Sequence, residues 1–169
     1  MSDSAQSAEQ FEPRILAFCC RHCAYAAADL AGGLRMQYPP SVRIVQVPCS
    51  GRVEVTEILH AFEKGVDGVM VAGCHPGDCH YQEGNYKALR RYRLLKRILP
   101  EYGVEPERVR LEWVAASEGE RFADIVNEFT EQIRELGPLG VKQSLAEAMK
   151  DDIDPHEAHN EESGVANEA

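Results

Sequence analysis

The chain has 169 residues, 44% of them apolar and 27% charged, which suits one domain of ordinary size with a sizeable core. No run approaches the roughly 18 consecutive apolar residues of a membrane-spanning helix, and Met1 to Phe11 is polar and acidic, which speaks against a secretory leader and predicts a cytoplasmic protein. The net charge of −10 is uneven: Lys142 to Ala169 holds eight acids and two bases, net −6, so nucleic acid is a poor partner.

Arg14 to Cys19 (RILAFC) is a short apolar run and predicts a buried strand. Ala24 to Leu34 reads as an alanine-rich helix ending near Gly32-Gly33, and Pro39-Pro40 marks a loop. Val42 to Val47 alternates and is β-branched, a second strand; Val53 to Lys64 places Ile58, Leu59 and Phe62 on one helical face. Gly68 to Ala72 is a third strand between glycines. Asn85 to Leu99 predicts a basic helix with Leu94, Leu95 and Ile98 as its apolar positions. Val109 to Ala115 is a fourth strand, and Ser117 with Glu120 has the spacing of a capping box opening a last helix. In that helix Phe122, Ile125, Val126, Phe129, Ile133 and Leu136 follow the 3.6-residue period until Gly137-Pro138.

Four strand-then-helix repeats predict an α/β fold, a doubly wound parallel sheet of about four strands with flavodoxin-like order 2-1-3-4. The domain spans 13–138, after a flexible start over 1–12. A weakly amphipathic stretch, Lys142 to Met149, opens the acidic tail over 139–169, read as partly helical or disordered.

The six cysteines all lie in the first half of the chain. In a reducing compartment structural disulfides are a poor explanation for them. Cys19, Cys20 and Cys23 follow the first strand, Cys49 the second, and Cys74 and Cys79 the third, so they converge at the carboxyl edge where open α/β sheets bind ligands. Cys20-x-x-Cys23 and Cys74-x-x-x-x-Cys79 each direct two sulfurs from one loop, and Gly73 and Gly77 let backbone approach a cluster closely. Cys19 reads as a strand residue serving as a small hydrophobe. Spacing alone leaves three chemistries open. One is an iron–sulfur cluster. Another is a structural zinc on Cys20, Cys23, Cys74 and Cys79 or a borrowed His22, His75 or His80, giving a docking adaptor. The third is a thiol–disulfide pair of Cys20 and Cys23. Sequences such as GxSxG, GxxxxGK[ST] or a GxGxxG after the first strand are absent, which leaves a ligand cage without an evident substrate pocket. Lys87, Arg90, Arg91, Arg93, Lys96 and Arg97 put six cations in eleven residues, the pattern of a docking face for an acidic partner.

The runs FCCRHCAYAAADLAG, QYPPSVRIVQVPCSGRV, GVMVAGCHPGDCHYQEGNYKALRRYRLLK and ERVRLEWVAASEGERFADIVNEF resemble the delta subunit of methyl-viologen-reducing hydrogenase and the iron–sulfur subunits that accompany heterodisulfide reductase. The resemblance covers about residues 12–138, and GCHPGDCHY with Gly84-Asn85-Tyr86 is its most specific piece. It implies a 2Fe–2S cluster and an electron bridge from a hydrogenase or formate dehydrogenase module to a flavin-carrying reductase subunit, where electrons feed bifurcation. It points to Cys20, Cys23, Cys49, Cys74 and Cys79 and leaves Cys19 out. The expected ligands are Cys20, Cys23, Cys74 and Cys79, with Cys49 a neighbour or a substitute. The family commonly has Asn-Trp between the first two motif cysteines, where this chain has Arg21-His22, a positive charge that would stabilise a reduced cluster.

Overall fold

A helix after every strand forces each strand to re-enter the sheet in the same direction as the one before it, because only a crossover can return the chain. The structure, a computed structural model, describes residues 11–140. Of the flanking segments expected over 1–12 and 139–169, only Phe11, Glu12, Leu139 and Gly140 fall among the described residues, and the amphipathic stretch Lys142 to Met149 lies outside them. In chain order the elements are β1 (Ile15–Cys20), α1 (Ala24–Gly33), β2 (Val42–Val47), α2 (Val55–Glu63), β3 (Gly68–Gly73), α3 (Gly84–Ile98), β4 (Val109–Trp113) and α4 (Gly119–Leu136). Short 3₁₀ turns occupy Ser50–Arg52, Leu99–Tyr102 and Pro106–Arg108. The sheet is parallel throughout in the order β2-β1-β3-β4, the doubly wound arrangement expected from the alternation.

Alternation along the central strands feeds two cores. Ile15, Ala17, Cys19, Met70 and Ala72 meet the layer of α1 and α4, while Leu16, Phe18, Val69 and Val71 meet that of α2 and α3. The alanines of α1 (Ala24, Ala27, Ala28 and Ala31) are buried and keep that helix slim, so α4 packs close beside it. Phe122, Val126, Phe129 and Ile133 of α4 are almost fully buried at the predicted period. Each contributes about 1.5–3 kcal/mol through its burial.

At the amino edge of the sheet two charged residues tie the ends of the domain together. Asp67, just before β3, accepts the Arg14 N–H on Oδ2 (2.9 Å) and the Leu139 N–H on Oδ1 (3.1 Å). Arg108, 1% exposed, donates to the carbonyls of Asp67 (3.1 Å), Gly137 (2.9 Å) and Leu136 (3.3 Å) and to the Glu105 carboxylate (2.7 Å). It thereby satisfies the last carbonyls of α4 with a cation, where the helix dipole favours one.

Two local expectations differ from the structure. No capping box forms at Ser117 and Glu120: the N-cap of α4 is Glu118, whose carboxylate turns away from the helix to accept the Ala115 N–H (2.6 Å). The reciprocal box sits instead on α2, between Glu54 and Glu57. Leu94, expected on the buried face of α3, is 55% exposed; Ala88 and Leu95, seven residues apart, mark the face that is buried.

Candidate metal centre

The sheet order places β1 between β2 and β3, so the chain reverses its direction of travel across the sheet beside β1, and the loops after these three strands meet over that crevice. All five cysteines of those loops are buried. Cys20 ends β1, and Cys23 is the N-cap of α1, its carbonyl accepting the Ala27 N–H (2.9 Å). Cys49 is the N-cap of the turn at Ser50–Arg52, Cys74 follows β3, and Cys79 lies in the loop that leads to α3.

The sulfurs divide into two groups. The Sγ atoms of Cys20, Cys23 and Cys74 all lie within 4.8 Å of one another, with Cys20 and Cys74 3.9 Å apart. Cys49 and Cys79 form a separate pair, also at 3.9 Å. Cys19 belongs to neither. It is fully buried beneath α1 and α4, where burial pushes its thiol up to about 12. Within the group of three, the Cys23 S–H donates to the Cys20 sulfur and brings that thiol down to about 5 against the pull of burial, while Cys23 itself is driven up by giving that bond. Burial raises Cys74. In the pair, burial raises Cys49 to about 11 although the Gly51 N–H reaches its sulfur (3.4 Å). Cys79 meets the same burial penalty, but the N–H groups of Asn85, Tyr81 and Gly84 outweigh it and leave its thiol lowered. Those amides belong to the first turn of α3 and its approach, where unpaired N–H groups favour negative charge.

Two glycines let the pair form. A Cβ on Gly84 would overlap the Cys49 sulfur and stand 3.1 Å from that of Cys79, and a Cβ on Gly51 would lie 2.5 Å from the Gly84 carbonyl. Arg91 then fastens the Cys49 loop to α3: its Nη1 donates to the carbonyls of Gly51 and Val53, and Nη2 to Glu54 (2.9 Å). Asn85, 1% exposed, does the same for the other loop, donating from Nδ2 to the carbonyls of Cys74 (3.2 Å) and His75 (2.8 Å). Gly84→Ala is therefore expected to reverse the usual sign. At a helix start with ordinary φ, alanine for glycine stabilises by about 0.4–1 kcal/mol; here overpacking should cost about 1–3 kcal/mol, read as a lowered denaturation midpoint. A rise in the midpoint would show that the loops yield freely.

The histidines stand around the sulfurs. His22 stacks on His80 (centroids 4.0 Å apart, 13° between planes), with Tyr81 edge-on to both. His75 Nε2 lies 2.8 Å from Glu118, whose carboxyl is held down chiefly by the Ala115 N–H and then by this contact. Among the described residues, the one group of three or more ligating side chains within 4.8 Å of one another is the three sulfurs, with no imidazole among them. The crevice opens to solvent on two sides. A cavity of about 310 Å³ exposes Cys23 and Cys74 between His22, His75, Asp78 and His80, and another of about 320 Å³ exposes Cys49 between Pro48, Arg52, Tyr81 and Lys87. The larger groove of about 840 Å³ beside α2 has no cysteine in its lining.

The family model described as methyl-viologen-reducing hydrogenase, delta subunit, matches residues 15–137, the whole of this α/β domain. The chain belongs to this delta-subunit family. Among curated proteins it is 59% identical over 131 residues to the iron-sulfur subunit of F420-non-reducing hydrogenase from Archaeoglobus profundus, a match over 78% of this chain and 96% of that one. It is 53% identical over 137 residues to the vhc iron-sulfur subunit of F420-non-reducing hydrogenase from Methanococcus voltae, over 81% and 95% of the two chains. It is also 45% identical over 128 residues to one chain of the ferredoxin/F(420)H(2)-dependent CoB-CoM heterodisulfide reductase of Methanosarcina acetivorans, covering 76% of this chain and 16% of that much longer one. The acidic C-terminal segment lies beyond the family match.

Sequence spacing found all five thiols of the delta-subunit crevice. It did not separate three from two, and it missed Gly51, Gly84, Asn85 and Arg91, which set their positions. Asn85 and Gly84 stand inside the most specific motif, so a signal was present. Arg91 was hidden among neighbouring cations, although its place three residues after buried Ala88 marks it as inward-facing.

Proposed function

We propose that this delta-subunit family member is a cytoplasmic electron-transfer protein. It carries one 2Fe–2S cluster and relays electrons between a hydrogenase or formate dehydrogenase module and a flavin-containing subunit of heterodisulfide-reductase type. The observation that carries the reading is the division of the thiols into three and two across the switch-point crevice. A single tetrahedral zinc with bonds of about 2.3 Å would draw four sulfurs into one group. Five buried thiols spread over two groups offer the four thiolates that a binuclear cluster takes, without gathering them around one ion. Cys20, Cys23, Cys74 and Cys79 are the proposed ligands, Cys79 being favoured over Cys49 because neighbouring amides leave its thiol lowered while burial leaves that of Cys49 raised. Bound there, the cluster supplies one-electron redox chemistry, and the protein supplies enclosure, amide donors and two solvent-facing sides.

The relatives support the partners. The proteins that match this chain over nearly their own full length are named as hydrogenase iron-sulfur subunits, and the same stretch recurs inside a much longer heterodisulfide reductase chain. Among the described residues no helix is long and apolar enough to cross a membrane.

Purification without oxygen, followed by a visible spectrum and iron, sulfide and zinc analysis, tests the reading. About two irons and two sulfides per chain, with absorption that bleaches on reduction, are expected. A colourless protein with one zinc per chain would make it a structural adaptor and overturn the relay.

A further inference from the structure

Helix α3 carries six cations and no acid in a chain whose net charge is −10. The structure divides those cations by what they touch. Arg91 is spent on the Cys49 loop. Lys96 lies over the Tyr92 ring, 5.5 Å from its centroid, and burial draws its ammonium down. Lys87, Arg90, Arg93 and Arg97 remain exposed, and none forms an ion pair among the described residues. Lys87, Arg90, Leu94 and Arg97 follow one another at helical spacing, so the exposed Leu94 sits inside a frame of positive charge. An apolar centre with a charged rim is the anatomy of a protein–protein contact.

The position of this face is informative too. Its amino end, Lys87, rims the opening onto Cys49, together with Arg52 and the 52% exposed Tyr81. The opposite opening, beside Cys23 and Cys74, is lined by imidazoles and Asp78 and has no comparable charge.

We propose that this face of α3 docks an acidic protein surface on one redox partner, seating that partner over the opening beside Cys49. The electron-transfer reading above supplies only what the partner does. The charge fit stands without it.

A plant-type ferredoxin, a small acidic electron carrier, serves as the probe. The full-length protein is titrated with it by calorimetry at low salt and at about 0.15 M salt, where the Debye length is near 8 Å. The parent protein should bind, and salt should weaken that binding about tenfold, as steering by one sign of charge requires. Arg90→Glu/Arg93→Glu should lose the binding, whereas Arg43→Glu/Lys64→Glu, with the same change in net charge elsewhere, should keep it. Carbodiimide coupling should join Lys87 to a ferredoxin carboxylate. Absent binding by the parent, equal binding by the two variants, or coupling of Lys87 to acids of residues 142–169 in the same chain would each overturn the proposal. Iron and sulfide analysis of the same samples judges the cluster separately, so binding by an iron-free protein would sink the relay and leave the docking face standing.

Discussion

Cys74→Ser is expected to strip the protein of its iron and its visible absorption, and Cys20→Ser and Cys23→Ser should do the same. These three sulfurs lie within 4.8 Å of one another on two different loops, so removal of any one breaks the largest group of donors among the described residues. A serine hydroxyl is a hard, seldom-ionised ligand in place of a soft thiolate, which such clusters require. The pair should behave asymmetrically. Cys79→Ser should lose most of the iron, because its thiol is the lowered one of the pair, whereas Cys49→Ser should retain it with an altered spectrum. Cys19→Ala is the control. Its sulfur is sealed in the core under α1 and α4, so iron content should be unchanged while stability falls by about 1 kcal/mol for the lost packing. Iron and sulfide per chain decide the matter. Full iron in Cys74→Ser would remove the group of three from the site, and full iron in Cys79→Ser would transfer the fourth position to Cys49.

The second large effect lies at the other end of the sheet. Arg108→Ala leaves the buried carbonyl of Asp67 and the half-buried carbonyls of Leu136 and Gly137 without their donor, and empties the space of an arginine that is only 1% exposed. Stranding buried polar groups, together with the packing lost from a large side chain, should cost about 3–5 kcal/mol. That is a large share of the roughly 5–15 kcal/mol that holds an ordinary domain together. Arg121→Ala makes the comparison: its contact with Glu112 is 3.6 Å long and its side chain 49% exposed, so the change should stay within about 1 kcal/mol. Urea unfolding of both variants gives the two numbers. A loss below about 1 kcal/mol for Arg108→Ala would show that α4 ends there without needing its cation.

Much of this architecture is legible in the sequence because it depends on period and alternation. RILAFC, VRIVQV and GVMVA form strands, and the stripe from Phe122 to Ile133 is buried as its period predicts, with Leu136 half-buried at its end. The same logic brings five thiols to one edge, because parallel crossovers leave every post-strand loop on the same side. What stays hidden depends on the path of the loops. Gly51 and Gly84 acquire meaning only where two backbones nearly touch, and neither has the positive φ that would single it out. By residue type Ser117 is a better N-cap than Glu54, so the capping box is expected on the wrong helix. In the fold, Glu118 is more useful facing the Ala115 amide and His75 than serving its own helix. Leu94 reads as a core residue on hydrophobicity, although the helical phase set by Ala88 and Leu95 turns it to solvent.

One carboxylate holds both ends of the domain. Asp67 receives the backbone of Arg14 from one side and of Leu139 from the other, so chain entry and exit meet beneath the sheet, at the edge opposite the cysteines. Extra sequence can therefore be spliced onto either end without crossing the crevice. The unit is portable. That portability accounts for a domain that stands as a small separate protein in Archaeoglobus and as one-sixth of a long reductase chain in Methanosarcina.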